Sequence, residues 1–203
     1  TAARGTEWEA AIVLLGLLGL RRGEVLGLSW DALDLTAGTL SVERSLVTLE
    51  AGEPSLGVPK TKGSRRTLEL GAPVVAVMRS QRARQAQQAL AAGQDWAGSF
   101  TDDHGDRVAL VFTDEAGRPM PGHRLNGALN RVALAAGIDA HITPHLLRHS
   151  AASLMISEGM DVAAVASVLG HASPAVTTSI YAHALHRTQA RATAVIASAI
   201  GQW

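Results

Sequence analysis

Thr143-Pro144-His145-Leu146-Leu147-Arg148-His149-Ser150 is the stretch whose reading decides this chain. Thr143 is an N-cap residue and Pro144 suits the first helical position, so a helix is predicted to begin near His145 and to stop at Gly159. His145 and Arg148 are three apart, which places an imidazole and a guanidinium on adjacent turns of one helix face. One such group can move a proton while the other holds an anion. Working towards the C-terminus, Asp161 caps a short helix that Gly170 ends, and Ser173-Pro174 repeats the cap-plus-proline start. That third helix is expected to reach about Tyr181, the single tyrosine of the chain, before a final helix runs to Ala199.

Working towards the N-terminus, Leu125 to Ala136 reads as a helix stopped by Gly137, and the Ala- and Gln-rich segment Ala72 to Ala92 as another. Trp8, Ile12, Leu15 and Leu18 recur at helical spacing, predicting a buried first helix that ends near Leu20, with a short second helix over Gly23 to Leu28. Thr39 to Leu49 and Arg66 to Leu70 carry strand composition, joined through turn residues at Glu50 to Pro54, and Leu110 to Thr113 is expected to supply a third strand. Gln94 to Asp106 reads as loop. The fold class is therefore α+β, mostly α-helical, with a small three-stranded antiparallel sheet at one edge.

The chain has 203 residues, 47% of them apolar, enough for a substantial core. It has no cysteine, which excludes disulfides and thiolate zinc sites and suits a cytoplasmic setting. The apolar run Ala10 to Leu20 is too short to span a bilayer, and Arg21-Arg22 lies on the wrong side of it for a secretory signal. Seven of the eight histidines lie at or beyond His123, which raises a metal reading. Zinc peptidases, however, need Glu directly after the first of two histidines four apart, and Leu146 stands there. Gly16-Leu17-Leu18-Gly19 lacks the lysine of a phosphate loop, and no Gly-x-Ser-x-Gly elbow occurs. No cofactor and no metal are expected.

The candidates left are Tyr181 as nucleophile, His145 and Arg148 on one helix, and Arg21, placed after the first helix where a bend can project it into a cleft. The chain's two lysines, Lys60 and Lys62, both sit at the basic hairpin, where arginine has not replaced them. An ammonium able to lose a proton is what a general acid requires.

Together these segments resemble the catalytic domain of the tyrosine recombinase (phage integrase) family. Gly19-Leu20-Arg21-Arg22-Gly23-Glu24-Val25-Leu26-Gly27-Leu28 with Trp30 resembles the family's first conserved box, and His145 to Ser150 its second. Leu169-Gly170-His171 resembles the segment bearing the next histidine, and Ile180-Tyr181-Ala182-His183 the nucleophile segment. The likeness runs from Trp8 to Ala199, so residues 1–203 are expected to form one catalytic domain, without the N-terminal core-binding domain that full-length relatives carry. It implies a catalytic set of Arg21, Lys62, His145, Arg148, His171 and Tyr181, with Lys60 as a phosphate contact and Lys60 or Lys62 both near the lysine position. Glu24 is expected to support Arg21 from behind.

The implied activity is site-specific DNA recombination through a 3′-phosphotyrosyl intermediate, on double-stranded DNA. Full-length relatives of this type work as tetramers on paired sites, while an isolated domain would be monomeric. Type IB topoisomerase-like relaxation and DNA binding without turnover are the alternatives. A DNA partner has to be reconciled with a net charge of zero. Lys60, Lys62, Arg65 and Arg66 crowd together without an acid, whereas Asp95 to Glu115 holds six acids against Arg107. A basic face towards DNA and an acidic remote side are therefore expected.

Overall fold

The computed structural model describes residues 2–49, 52–57 and 65–170. Helix α1 (Glu9–Leu17) buries Ala10, Ala11, Leu14 and Leu15. It ends three residues before the expected Leu20, because Gly19 takes φ +62° and turns the chain. That turn drives Leu20 fully into the core and starts α2 (Arg22–Leu26) on a new axis, with Arg21 at the corner.

Five strands follow: β1 (Leu33–Asp34), β2 (Thr39–Val42), β3 (Ser45–Thr48), β4 (Pro54–Gly57) and β5 (Arg66–Glu69). The antiparallel order β1-β2-β5 makes the three-stranded sheet, with Leu40 opposite both Leu33 and Leu68. β3 and β4 form a separate hairpin. Two expectations are corrected here. The single strand over Thr39 to Leu49 is broken at Glu43-Arg44, where Arg44 leaves the ladder to donate to Ser29 Oγ at 3.1 Å and Asp102 Oδ2 at 3.2 Å.

The third strand is Leu33–Asp34, not Leu110 to Thr113. The latter segment is extended and buried, but helix α3 (Ala72–Ala92) satisfies its carbonyls: Gln81 Nε2 donates to Val111 O at 3.1 Å and Gln85 Nε2 to Leu110 O at 2.9 Å. Its ladder-like links among the described residues are two isolated bridges, Leu110 to Ser29 and Thr113 to Pro119. The segment read as loop, Gln94 to Asp106, also contains structure, since β6 (Phe100–Thr101) pairs with β7 (Arg107–Val108). Asp102 Oδ1 organises the turn between them by accepting from the backbone N–H of His104 and of Asp106, both at 3.0 Å.

Helices α4 (Gly122–Ala135), α5 (Pro144–Ser157) and α6 (Val162–Leu169) complete the described residues. The caps read from sequence are present: Thr143 Oγ1 accepts from Leu146 N, Asp161 accepts from Ala163 N and Ala164 N, and Gly170 closes α6 in the left-handed region. α1 packs against α3 and α5, and α5 against α6. Ile156, Val165 and Leu169, with Ala152, form a second apolar cluster between α5 and α6. Among the described residues no helix is long and apolar enough to cross a membrane.

Candidate active site

Arg21 is the N-cap of α2, with extended backbone, and its position follows from the Gly19 turn. Glu24 holds it in a capping box: Arg21 N donates to Glu24 Oε2 at 2.9 Å, and Arg21 Nη1 to Glu24 Oε1 at 2.6 Å. The Arg21 side chain keeps 42% of its surface exposed, while the Glu24 carboxylate keeps 2%. Burial alone would raise the Glu24 pKa. The Arg66 guanidinium, through hydrogen bonds and charge, together with the Arg21 N–H and side chain, outweighs burial and leaves it below the ordinary value of 4.5. Glu24 thus braces Arg21, and its reach extends to Arg66, whose Nη1 and Nη2 approach Oε1 and Oε2 at 3.2 and 3.0 Å.

Arg148, one turn into α5, is 6% exposed. Its Nη1 donates to Gly19 O and its Nη2 to Leu169 O, both at 2.7 Å. These bonds fix the guanidinium plane between the α1–α2 corner and the end of α6. His145, on the preceding turn, packs its ring edge-on against His149, with centroids 4.7 Å apart and planes at 82°. Burial first, then the charges of His145 and Arg148, lower the His149 pKa from its ordinary 6.5, which favours the neutral imidazole. The α5 entry is tied to α4 by Asn130, which accepts from Ile142 N at 2.9 Å and donates to Ile142 O at 3.2 Å.

Arg21, His145 and Arg148 come from segments more than 120 positions apart in sequence and line one open cleft of about 280 Å³, with Arg22, Asn126, Thr143 and Pro144. Sequence reasoning did not single out Arg22 or Asn126. Asn126 Oδ1 is buried without a hydrogen-bond partner among the described residues, and no sequence signal marks it. Lys60, Lys62, His171 and Tyr181 lie outside the described residues. Among the described residues no group of three or more His, Asp or Glu is placed to hold a metal ion.

The expected separation of charge is corrected at Arg66, Asp102 and Asp106, while Lys60 and Lys62 lie outside the described residues. Arg66 does not belong to an exposed basic tip: it is turned inward on Glu24, its side chain 7% exposed. The acidic segment is not remote either, since Asp102 and Asp106 line a larger cleft of about 520 Å³ together with Arg44, Arg65 and Arg66.

A cleft floored by one buried and one half-exposed arginine, with an imidazole at its edge, is a site for an anionic, phosphate-like group. The sequence model of the Phage integrase family matches residues 2–187, and the chain belongs to that family. It is 28% identical over 199 residues to a tyrosine recombinase XerC-like protein of Caldanaerobacter subterraneus subsp. tengcongensis, covering 94% of this chain and 49% of that protein. It is 35% identical over 185 residues to an integrase of Streptomyces ambofaciens, covering 89% of this chain and 45% of that protein. The chain thus spans about half the length of the curated relatives it matches. In fold it is similar to the Tn1549 transposon integrase in complex with transposon right end DNA, with a TM-score of 0.70, 22% identity and coverage of 91% and 58% of the two chains. The XerA recombinase gives a TM-score of 0.68 at 22% identity, covering 94% and 58%.

Proposed function

We propose that this chain is the catalytic domain of a tyrosine site-specific recombinase that cuts and rejoins double-stranded DNA. The observation that carries the reading is the convergence of Arg21, His145 and Arg148 on one cleft, within a chain of the phage integrase family. Similar proteins are named integrase or tyrosine recombinase, and a similar fold has been seen on transposon end DNA.

In this reading the Tyr181 hydroxyl oxygen attacks the scissile phosphorus and its proton passes to a base, the role assigned to His145. The P–O5′ bond breaks, leaving a 3′-phosphotyrosyl link, and Lys62 gives the departing 5′-oxygen its proton. Arg21, Arg148 and His171 hold the nonbridging oxygens while negative charge grows on them. A guanidinium fixed in advance by backbone carbonyls, as Arg148 is, costs no reorganisation when that charge develops. The link conserves the energy of the phosphodiester, so a free 5′-hydroxyl reverses the reaction on the same or another strand. Exchange between two duplexes then calls for four protomers.

The test uses a pool of nicked duplexes randomised around the nick, from which SDS-resistant protein–DNA adducts are recovered and sequenced. Wild-type protein is expected to yield adducts through Tyr181 at a defined sequence, and Tyr181→Phe none. Adducts persisting in Tyr181→Phe would overturn the assignment, and DNA binding without any wild-type adduct would leave a binder without turnover. Arg148→Lys is expected to lose adduct formation while retaining most nonspecific DNA affinity. Product analysis on paired recovered sites separates recombination from relaxation.

A further inference from the structure

The last carbonyls of α6 are each held by a different arginine. Val168 O accepts from Arg66 Nε at 2.6 Å, Leu169 O from Arg148 Nη2 at 2.7 Å, and Gly170 O from Arg21 Nη2 at 2.9 Å. These arginines arrive from β5, from α5 and from the N-cap of α2. A helix C-terminus leaves its final carbonyls without intrahelical partners and carries partial negative charge, so cations gather there favourably. Three guanidiniums on three successive carbonyls do more than compensate a dipole. They tie the end of α6 to β5, to α5 and to the N-cap of α2.

Two of the three arginines are also joined to each other. Glu24 Oε1 accepts from Arg21 Nη1 and Arg66 Nη1, and Oε2 from Arg66 Nη2 and the Arg21 backbone N–H. Arg66 is absent from the lining of the smaller cleft that Arg21 and Arg148 share, and lines the neighbouring larger one instead. It therefore has no direct place on a phosphate bound between Arg21 and Arg148. Its contacts include the carboxylate that orients Arg21 and the α6 end that Arg21 also grips.

We infer that Arg66 is a positioning residue: by bridging Glu24 and the Val168 carbonyl it sets the Arg21 guanidinium relative to the phosphate. The inference rests on the recombinase reading above. The planar fork is essential to the role, because a lysine ammonium is a single point charge and does not reproduce a two-bond grip on Glu24 plus a third bond to a carbonyl.

The test compares Glu24→Gln with the double variant Glu24→Gln/Arg66→Met, since removing Arg66 alone leaves a buried carboxylate with only the half-exposed Arg21 as a cationic partner among the described residues. Single-turnover cleavage is measured on the nicked duplex recovered from the randomised pool, beside DNA affinity and thermal unfolding. Loss of Arg66 from the Glu24→Gln variant is expected to slow cleavage by about 100-fold, the scale of a misplaced reacting group, with DNA affinity unchanged. In an Arg21→Lys background the same replacement is expected to cost much less, because Arg66 acts through Arg21. The Arg21 Nε–H resonance, identified by Arg21→Lys, is expected to shift when Arg66 is replaced. Undiminished cleavage in the double variant with an unmoved Arg21 resonance would overturn the inference, as would an equal loss in both Arg21 backgrounds. Absence of any Tyr181 adduct in wild-type protein would instead sink the recombinase reading, while the Arg21 shift would still report whether Arg66 positions that guanidinium.

Discussion

Glu24 in α2 and Glu115 in the turn before α4 each accept two hydrogen bonds from one guanidinium, Arg66 in the first case and Arg124 in the second. Both carboxylates are held below their ordinary pKa. The difference is solvent, for the Glu24 side chain is 2% exposed and that of Glu115 is 72% exposed. A buried charge depends on its partner to remain charged at all, whereas an exposed one exchanges its partner for water at little cost. The same pair of residue types therefore organises a site in one region and decorates a surface in the other.

The largest expected effect comes from breaking the buried member. Arg66→Met leaves the buried Glu24 charge without its bidentate partner and is expected to cost about 3–5 kcal/mol in urea unfolding, whereas Glu24→Gln/Arg66→Met recovers most of it because no buried carboxylate charge remains. If the single and double variants unfold alike, Glu24 is not dependent on Arg66 and the contrast with Glu115 collapses.

Next in size is Gly19→Ala. Gly19 sits at φ +62°, and an added Cβ would lie 2.5 Å from Leu169 Cδ2 and 3.7 Å from Arg148 Cγ. The left-handed backbone costs a non-glycine residue about 1–2 kcal/mol, and crowding the buried Leu169 adds about 1–3 kcal/mol. Because Gly19 O is also the acceptor for Arg148 Nη1, this substitution is expected to reduce adduct formation more than its stability loss alone accounts for. Equal cleavage per folded molecule would show that the corner is structural only. Thr143→Ala, which removes the α5 cap bond to Leu146 N at 3.1 Å, is expected to cost about 1 kcal/mol in the same unfolding assay.

These contrasts also show what a sequence can and cannot disclose. Caps are local chemistry, so Thr143, Asp161 and Gly170 mark helix ends that the structure reproduces. The first box and the His145 to Arg148 spacing likewise point to Arg21, His145 and Arg148, and the fold brings all three to one cleft. The third strand is not legible, because Leu110 to Thr113 has strand composition while its carbonyls are claimed by Gln81 and Gln85, distant in sequence and polar within a helix. Arg66 reads as part of a basic cluster, since a charge in sequence carries no sign of which way it turns. Only the fold brings it to Glu24. Asn126 is invisible for a similar reason, as an amide on a helix reads as surface until its neighbours are known.

The smallest effect is the most diagnostic for the comparison. Glu115 has its pKa lowered from 4.5 to about 2, chiefly by the Arg124 hydrogen bonds. A carboxylate whose folded pKa is depressed adds stability that is complete above its unfolded value and is lost as pH falls towards the folded one. Glu115→Gln should therefore remove part of the acid destabilisation between about pH 4.5 and 2, but by under about 1 kcal/mol, because the pair is exposed and screened. High salt should erase that increment. Glu24→Gln changes the same acid limb with the same sign, since its pKa is lowered as well, yet salt has little access to a carboxylate enclosed by Arg21 and Arg66. Unfolding both variants against pH, at low and high salt, checks this. A salt-insensitive Glu115 contribution, or a Glu24 contribution that salt removes, would mean that burial does not distinguish the two pairs.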